Sequence, residues 1–428
     1  MSLLRRMPRS HLLALCATVV AIGVAGTAIA SALGGGTPPP PQRLANAVHQ
    51  GLTAPRITGL SAHIHFTNNL IDASSLVGRD PLLTGADGRL WVDPAGHRLR
   101  IELTPSEGND SQLMVDNGSF WFYDGASDTV YKGTLPQHST TSSPEASGAQ
   151  HQPPTVADIQ TWISKLGQHV NVSGAEPGVV AGQGAYTVKV SPRTNGGLLG
   201  GIQLAWDAAH GVPLRFAVYA QGNSNPVLEL KATDVQFSLP SDAFSAGPPP
   251  GAKVVNVQIP QGGQRSADSG KPDSGKTSGA PVTGLSAVQA AIPFKLSAPD
   301  SLNGLQRNEV RLLRFNGSPG ALIFYGQGLN GIAVLERAHP AGSGKSATGV
   351  LGAATGTGSN YQNGGSSSDH GGGPSLPAVQ IGNATGHELA TALGTVITFQ
   401  RDDAGTQVDY TVAGSVATHV AEAAARAL

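Results

Sequence analysis

Two histidines are spaced as a pair of metal ligands could be. His63 and His65 stand at positions i and i+2 of an alternating segment, so they share one face of a predicted strand. A protein zinc site needs three or four converging ligands. The sequence places no third ligand beside them and offers no cysteine there. We therefore predict that both histidines are solvent-facing strand residues, with no metal and no cofactor.

Motifs for enzymatic chemistry are incomplete. Gly59-Leu-Ser-Ala-His63 and the matching segment 284–288 both lack the final glycine of a nucleophile elbow. The glycine runs at 196–201 and 371–373 are not followed by Gly-Lys-Ser/Thr, so they do not fit a phosphate loop. Since the sequence shows no recognisable set of acid/base or nucleophilic residues, we predict that the protein is not an enzyme and has no catalytic residues.

Charge and cysteine content exclude further classes. Lys+Arg number 27 and Asp+Glu 28, a net charge of -1, so nothing indicates a nucleic-acid partner. Cys16 is the only cysteine, so the chain can form no internal disulfide. Leu15 occupies the place before it where lipidation requires a small residue, and this argues against a lipoprotein.

The N-terminus resembles an export signal. Three arginines within the first nine residues precede an uncharged, mostly apolar stretch at 12–33, and Ala28-Ile-Ala30 fits a cleavage site. The 22 residues of that stretch are also long enough to span a bilayer. Residues 1–36 are therefore predicted to be a signal peptide or an N-terminal membrane anchor. Both alternatives place the rest of the chain outside the cytoplasm, either anchored at the membrane or secreted or periplasmic.

Composition divides the remaining chain into two predicted domains. The 57 glycines and 30 prolines are concentrated in a spacer at 34–41, a segment at 261–281 and a segment at 341–375. Segments of this kind cannot bury a core, so we predict a flexible linker at 261–281 and a disordered insert at 341–375. The domains are then predicted at 42–260 and 282–428.

The first domain has the pattern of an antiparallel sheet with helices on one face, an α+β fold. Alternating apolar residues predict strands at 60–66, 88–94, 99–103, 111–115, 120–122, 186–190, 202–206, 214–220 and 228–237. Helices are predicted at 42–52 and from Thr155, where Asp158 completes a capping box, to Gly167. The second domain is predicted to be a small α+β unit with helices at 285–292 and 415–428 and strands at 321–325, 331–336, 394–401 and 407–413.

Four motifs of the first domain occur in a recognisable order. Gly88-Arg-Leu-Trp-Val-Asp-Pro94 precedes Leu113-Met-Val-Asp-Asn-Gly-Ser-Phe-Trp-Phe-Tyr123. A strand ending at Asp207 then leads to Gly211-Val-Pro-Leu-Arg215, and Phe244-Ser-Ala-Gly-Pro-Pro-Pro-Gly-Ala-Lys-Val254 follows. This order resembles the LolA/RseB family of bacterial envelope proteins, and the end of the chain is similar to the small C-terminal domain of RseB/MucB-type regulators.

The resemblance implies a curved half-barrel sheet that binds lipids or lipoprotein acyl chains beneath a helical lid. The residues expected to line this cavity are Leu60, Ile64, Phe66, Leu99, Ile101, Phe120, Phe122, Tyr186, Val188, Ile202, Leu204, Trp206, Leu214 and Phe216. By periodicity alone, an ordinary sheet core is the favoured interpretation of such residues. Only the resemblance suggests a ligand.

The resemblance leaves the biological role open between a carrier, a sensor and a passive binder. Carrier-type members have a basic residue before the proline of the first motif, and this chain has Asp93 there. The alternative function is RseB-like: a regulatory protein in envelope stress signalling that contacts a membrane-bound anti-sigma factor.

Overall fold

A computed structural model shows the architecture of the chain. It describes residues 36–71, 85–106, 108–135, 153–193, 196–257, 282–315, 318–327, 331–339, 376–403 and 405–428. The predicted signal or anchor, apart from Gly36, lies outside these residues, as do the predicted linker and insert. In the ranges that the structure does describe, no helix has both the length and the apolar character needed to cross a membrane.

The first sheet is open and curved, and it contains thirteen strands within the described residues. They are β1 (Leu60–Asn68), β2 (Ala86–Asp93), β3 (Arg98–Thr104), β4 (Ser111–Asp116), β5 (Ser119–Asp124), β6 (Thr129–Thr134), β7 (Val170–Val172), β8 (Glu176–Val180), β9 (Gln183–Pro192), β10 (Leu199–Asp207), β11 (Pro213–Ala220), β12 (Pro226–Gln236) and β13 (Lys253–Val257). The strand order is β13-β6-β5-β4-β3-β2-β1-β12-β11-β10-β9-β7, with β8 also paired to β9.

Every strand predicted in this part of the chain is present, usually with one to three more residues at its ends. Sequence analysis missed β6, β7, β8 and β13. Among the described strands of this sheet, β13 alone is paired in parallel: it runs beside β6 in the same direction. Its five residues, Lys253–Val257, are too short for alternation to stand out.

Two helices accompany the first sheet: α1 (Leu44–Leu52) and α2 (Val156–Leu166). α1 begins two residues later than predicted, because Gln42 forms a bridge with Ala175 instead. The predicted capping box of α2 is confirmed: the Asp158 backbone N–H donates to the Thr155 hydroxyl at 3.2 Å, and the Thr155 backbone N–H donates to the Asp158 carboxylate at 3.1 Å. The Thr155 hydroxyl also donates to the Asp158 carboxylate at 2.7 Å, and this hydrogen bond, together with that from the Thr155 backbone N–H, holds the pKa of Asp158 below its ordinary value.

The segment between β12 and β13 crosses the sheet as a strap. Its Ala243 carbonyl accepts a hydrogen bond from the Arg100 guanidinium at 2.8 Å, and the ring of Phe244 lies 4.4 Å from the guanidinium carbon of Arg98. Arg100 in turn lies over the ring of Trp91 at 4.8 Å. The proline-rich motif that ends the first domain therefore covers the polar side of the sheet and delivers β13 to its far edge.

A second sheet of eight strands, again counted over the described residues, forms the C-terminal unit. The strands are β14 (Ser301–Leu302), β15 (Leu305–Phe315), β16 (Ser318–Tyr325), β17 (Ile332–Ala338), β18 (Ala378–Ile381), β19 (Ala384–Thr391), β20 (Gly394–Asp403) and β21 (Thr406–Gly414), in the order β14-β15-β16-β17-β21-β20-β19-β18. The helices are α3 (Leu285–Gln289) and α4 (Thr418–Arg426).

The helices of this unit correct two predictions. α3 ends at Gln289 and not at Ile292. The Ala291 N–H donates to the Val288 carbonyl in a tighter turn, and Pro293 has no N–H to donate to the Gln289 carbonyl. α4 is also shorter than predicted, and it buries Ala421, Ala424 and Ala425. Helical spacing puts Ala423, Ala424 and Ala427 on one apolar face, but Ala423 and Ala427 are exposed.

One acidic side chain lies inside the core of the second sheet. Glu336 is fully buried, and its only hydrogen bond among the described residues is the one that its Oε2 accepts from the Ser297 backbone N–H at 3.0 Å. Loss of solvation raises the pKa of Glu336 to about 8, with Asp403 adding to the effect. The carboxyl group is therefore protonated at neutral pH.

The two sheets are joined by backbone hydrogen bonds at one end of the first sheet. The N–H groups of Leu198 and Leu199 donate to the carbonyl and hydroxyl oxygens of Ser415 at 2.8 and 2.9 Å. The Ala392 N–H donates to the Leu70 carbonyl at 2.9 Å. Both contacts come from the end of the first sheet where β1 finishes and β10 begins.

Candidate functional site

Strand register places all fourteen expected cavity residues on one face of the first sheet, which we call the apolar face. Directly paired residues of neighbouring strands share a face. Val188 pairs with Leu204, Leu204 with Phe216, Phe216 with Leu230, and Leu230 with Phe66. On the same strands, Tyr186 pairs with Trp206, Ile202 alternates with Leu204, and Leu214 packs with Leu60 and Ile64. Similar rows connect the expected residues of β1 to β5. Alternation in the sequence therefore predicted which side chains share a face.

Helix α1 covers one corner of the apolar face. Its buried Ala47 packs in a cluster with Tyr186 and Trp206, whose ring centroids are 6.1 Å apart. Leu204 and Val188 are half-buried at the border of this cluster. The corner is held further by the Tyr186 hydroxyl, which donates to the Pro40 carbonyl at 2.7 Å. Tyr186 and Trp206 are therefore core residues beneath a helix, whereas Leu204 and Val188 border this core and stay half-buried.

The middle of the apolar face is also largely covered. Leu60, Ile64 and Leu214 are buried in one cluster, and Phe66, Leu99 and Ile101 pack against it while remaining half-buried. The cluster also includes Ile57 and Val212, which lie at the end of the sheet opposite the Leu198–Ser415 contact. The face is therefore closed at one end of its strands.

Solvent reaches the apolar face at a pair of large side chains on β11 and β12. Phe216 is 37% exposed and its cross-strand partner Leu230 is 39% exposed. Ile202, Phe120 and Phe122 are half-buried, and the ring of Phe122 stacks on Tyr131 at 6.3 Å. Leu230 was not predicted to line the cavity, although its alternation with the charged Glu229 and Lys231 indicates that it lies on the apolar face. We call Phe216 and Leu230 the open pair.

Helix α2 presents a second exposed apolar surface. The sequence predicts that Val156, Ile159, Trp162, Ile163 and Leu166 form its packing stripe. The structure buries only Ile159, and Trp162 is 55% exposed. The stripe is only partly covered, because α2 packs at its side on α1 and β7 and has no sheet beneath its whole length.

The opposite, polar face of the first sheet holds the two histidines. His65 Nδ1 lies 2.7 Å from Asp87, and His63 Nδ1 lies 3.7 Å from Asp234. Each imidazole thus has its own carboxylate neighbour. Among the residues that the structure describes, no group of three or more His, Cys, Asp or Glu side chains is arranged to hold a metal ion.

Asp93, which departs from the family pattern, has a local role in the turn between β2 and β3. Its Oδ1 accepts from the Gly96 backbone N–H at 2.9 Å, and its Oδ2 accepts from the Arg98 guanidinium at 2.6 and 3.0 Å. The Gly96 hydrogen bond and the Arg98 guanidinium hold the pKa of Asp93 below its ordinary value. The carboxylate therefore closes a turn and points away from the apolar face.

A network on the polar face fixes the strands that carry the open pair. Arg215 donates to the buried carboxylate of Glu229 at 2.6 Å, to the Gln203 amide oxygen at 2.5 Å and to the Tyr219 hydroxyl at 2.7 Å. Tyr219 also donates to Gln203 at 2.9 Å. Since the network spans β10, β11 and β12, it sets the spacing of the strands whose other face bears Phe216 and Leu230.

No family model and no curated protein matches this chain. Among solved structures, it is similar to the MucA/MucB complex of Pseudomonas aeruginosa, with 15% identity over 90% of this chain and 94% of that chain and a TM-score of 0.37. MucB solved alone gives 13% identity, coverages of 89% and 96%, and a TM-score of 0.35. A LolA superfamily protein from Nitrosomonas europaea gives 9% identity over 47% of this chain and 97% of that chain, with a TM-score of 0.18. These neighbours are of the LolA/RseB kind that the sequence motifs resemble.

Proposed function

We propose that the protein is a non-enzymatic binder of a lipid or acylated ligand, exported to the extracytoplasmic side of the cell membrane. The observation that carries this proposal is the open pair, Phe216 and Leu230. Large apolar side chains that remain exposed beside the covered middle of a sheet face favour an apolar ligand, because burial of each gains about 1.5–3 kcal/mol.

The neighbours of the open pair extend the surface to the length that an acyl chain requires. The row from Val188 through Leu204, Phe216 and Leu230 to Phe66 crosses five adjacent strands. Strands lie about 4.8 Å apart, so the row is roughly 19 Å long. It contains no charged side chain, and we assign it as the proposed ligand track.

Substitution of the open pair tests the ligand track. Phe216→Glu should weaken binding of a fluorescent long-chain fatty acid about tenfold or more. The substitution puts a charge where the bound ligand would bury an aromatic ring. The cost in stability should be small because Phe216 is already partly in water. The measurement is a fluorescence titration of the purified full-length protein.

The matched control is Val254→Glu, which places the same charge at a 52% exposed valine on the polar face of the same sheet. Intrinsic tryptophan fluorescence should show that both variants are folded. If wild type, Phe216→Glu and Val254→Glu all bind the fatty acid with equal affinity, the proposed ligand track is wrong.

The second candidate function is regulatory, through contact with the extracytoplasmic part of a membrane-bound anti-sigma factor. It is favoured by the second sheet, which is hydrogen-bonded to the first and contributes none of the ligand-track residues. Two of the similar solved structures are complexes of MucB with MucA. In this reading, the second sheet contacts the partner while the first binds the apolar ligand.

Cross-linking in host membranes distinguishes the two candidates. A regulatory protein should yield the same transmembrane regulator when a cross-linker is placed on the second sheet, and this product should be absent with a cross-linker on the polar face of the first. Recovery of lipid with the purified protein, together with no regulator at any position, would favour the binder alone.

A further inference from the structure

The N-terminal residues of the described chain are fastened to one end of the first sheet. Gly36 lies against Gly182 so closely that a Cβ atom on Gly36 would collide with the Gly182 carbonyl oxygen. Gly184 makes a similar approach to the Thr37 carbonyl, and Pro40 accepts the hydrogen bond from Tyr186. The backbone therefore reaches the β8–β9 turn at Gly36 in a fixed position.

The predicted membrane segment ends very near this point. The apolar stretch at 12–33 is followed by Gly34 and Gly35 before Gly36 is reached. Three residue steps span at most about 10 Å when fully extended. If the stretch spans a bilayer, the β8–β9 turn is held within about that distance of the membrane surface.

Four turns at this end of the first sheet form a surface that we call the tether end: residues 53–58, 94–97, 180–183 and 207–211. Antiparallel pairing brings them together, since Asp207 pairs with Ala185 and Leu60 with Val92. The exposed side chains here include Arg56 and His97. Both residues have basic side chains, which favour contact with the anionic headgroups of lipids.

The acidic groups at the tether end are internally satisfied. Asp207 is buried, and its Oδ1 accepts from the His210 backbone N–H at 2.6 Å and lies 2.8 Å from His210 Nδ1. Asp93, at the edge of the 94–97 turn, is buried against Arg98. These four turns, all of which the structure describes, thus hold no outward-facing carboxylate. The adjacent β4–β5 turn, where the Asn117 N–H donates to the His97 carbonyl, carries one exposed carboxylate, that of Asp116.

The second sheet is attached at the opposite end of the first. Its hydrogen bonds come from Leu70, Leu198 and Leu199, beyond the ends of β1 and β9 that are remote from Gly182. β9 contains ten residues and therefore separates the two ends by roughly 30 Å. The entry point of the chain and the C-terminal unit thus mark opposite poles of the first sheet.

We propose that the tether end faces the lipid bilayer and that the second sheet is held about 30 Å farther from it, at the outer pole. This orientation rests on the predicted anchor and on the fixed position of Gly36, and it is independent of what the ligand track binds. It assigns a membrane-facing surface to the turns around Gly182 and an outward-facing position to the second sheet.

A pair of labelled variants tests the orientation in the full-length protein reconstituted into vesicles that contain phosphatidylglycerol. Cys16→Ser removes the native thiol, and a single cysteine is placed at Ala209, at the tether end, or at Ser224, in the turn between β11 and β12 at the outer pole. Both positions are exposed. A fluorophore on each is then exposed to a short-range quencher carried on lipid headgroups.

The expected result is loss of fluorescence from the label at Ala209→Cys and little loss from the label at Ser224→Cys. Equal quenching at both positions, stronger quenching at Ser224→Cys, or quenching at neither would overturn the proposed orientation. Tryptophan emission of each labelled protein, compared with that of wild type, checks that the first sheet is folded. Fatty-acid binding by both variants should be unchanged, so failure of the orientation is distinct from failure of the ligand track.

Discussion

Glu336→Gln is expected to stabilise the second sheet at neutral and alkaline pH and to remove most of the pH dependence of its unfolding. Burial raises the pKa of Glu336 from 4.5 to about 8, so the folded state holds a proton that the unfolded chain releases. The stabilisation is fully present below about pH 4.5 and is lost as pH rises to about 8. The loss in the free energy of unfolding is on the order of 5 kcal/mol.

The measurement is pulse proteolysis in urea at pH 5, 7 and 9, with fragments of the second sheet identified by mass spectrometry. Wild type should show a falling urea midpoint for these fragments, and Glu336→Gln should show a nearly constant one. Glu309→Gln is the matched control, because Glu309 pairs with Arg311 at 2.6 Å outside the core. Parallel pH profiles for wild type and Glu336→Gln would contradict the prediction.

Arg215→Ala is expected to cost the first sheet about 3–5 kcal/mol in its free energy of unfolding, because removal of one partner leaves a buried charge uncompensated. The carboxylate of Glu229 would then retain only Lys231 at 3.6 Å. Gln203 and Tyr219 would lose their donor as well. Loss of strand spacing should also weaken fatty-acid binding at the open pair on the other face.

Tryptophan fluorescence during urea unfolding reports this effect, since Trp91, Trp121, Trp162 and Trp206 all belong to the first sheet or α2. Arg193→Ala is the control: its guanidinium donates to the Gly167 carbonyl at 2.7 Å at an exposed helix end, and its loss should cost less than about 1 kcal/mol. Arg215→Ala combined with Glu229→Ala should recover part of the stability. A single-variant loss as small as that of Arg193→Ala would show that the network is dispensable.

The sequence predicted which face of the first sheet each side chain occupies better than it predicted how exposed each side chain is. Alternation is a local property, so Ile202, Leu204 and Phe216 could be assigned to one side before their partners were known. Helix α1 covers only some of these residues. Which ones it covers depends on contacts between distant parts of the chain, and a local alternation cannot predict such contacts. Phe216 and Leu204 therefore looked alike in sequence, although the first is exposed and the second borders the Trp206 cluster.

The same limit explains the elements that were predicted incorrectly. The stripe of α2 is a true helical pattern, but Trp162 is exposed because periodicity records an apolar face and not what covers it. The parallel strand β13 depends on the strap that crosses the sheet from Gln236 to Lys253, a non-local connection. Local signals fared better: the Thr155–Asp158 capping box was visible because both partners lie within four residues.

The pairing of β1 with β12 determines when the first sheet can be completed. Strands β1 to β6 form one succession of hairpins and β9 to β12 another, so each ladder can assemble from neighbouring segments. The seam between the ladders joins Ser61 with Gln236 and Asn68 with Leu228, at opposite ends of the domain sequence. Pairings of such sequence separation form late, because loop closure must precede them. During synthesis, an emerging chain would therefore present two unjoined half-sheets with open edges until residue 236 had appeared, and this interval is when a chaperone would be needed.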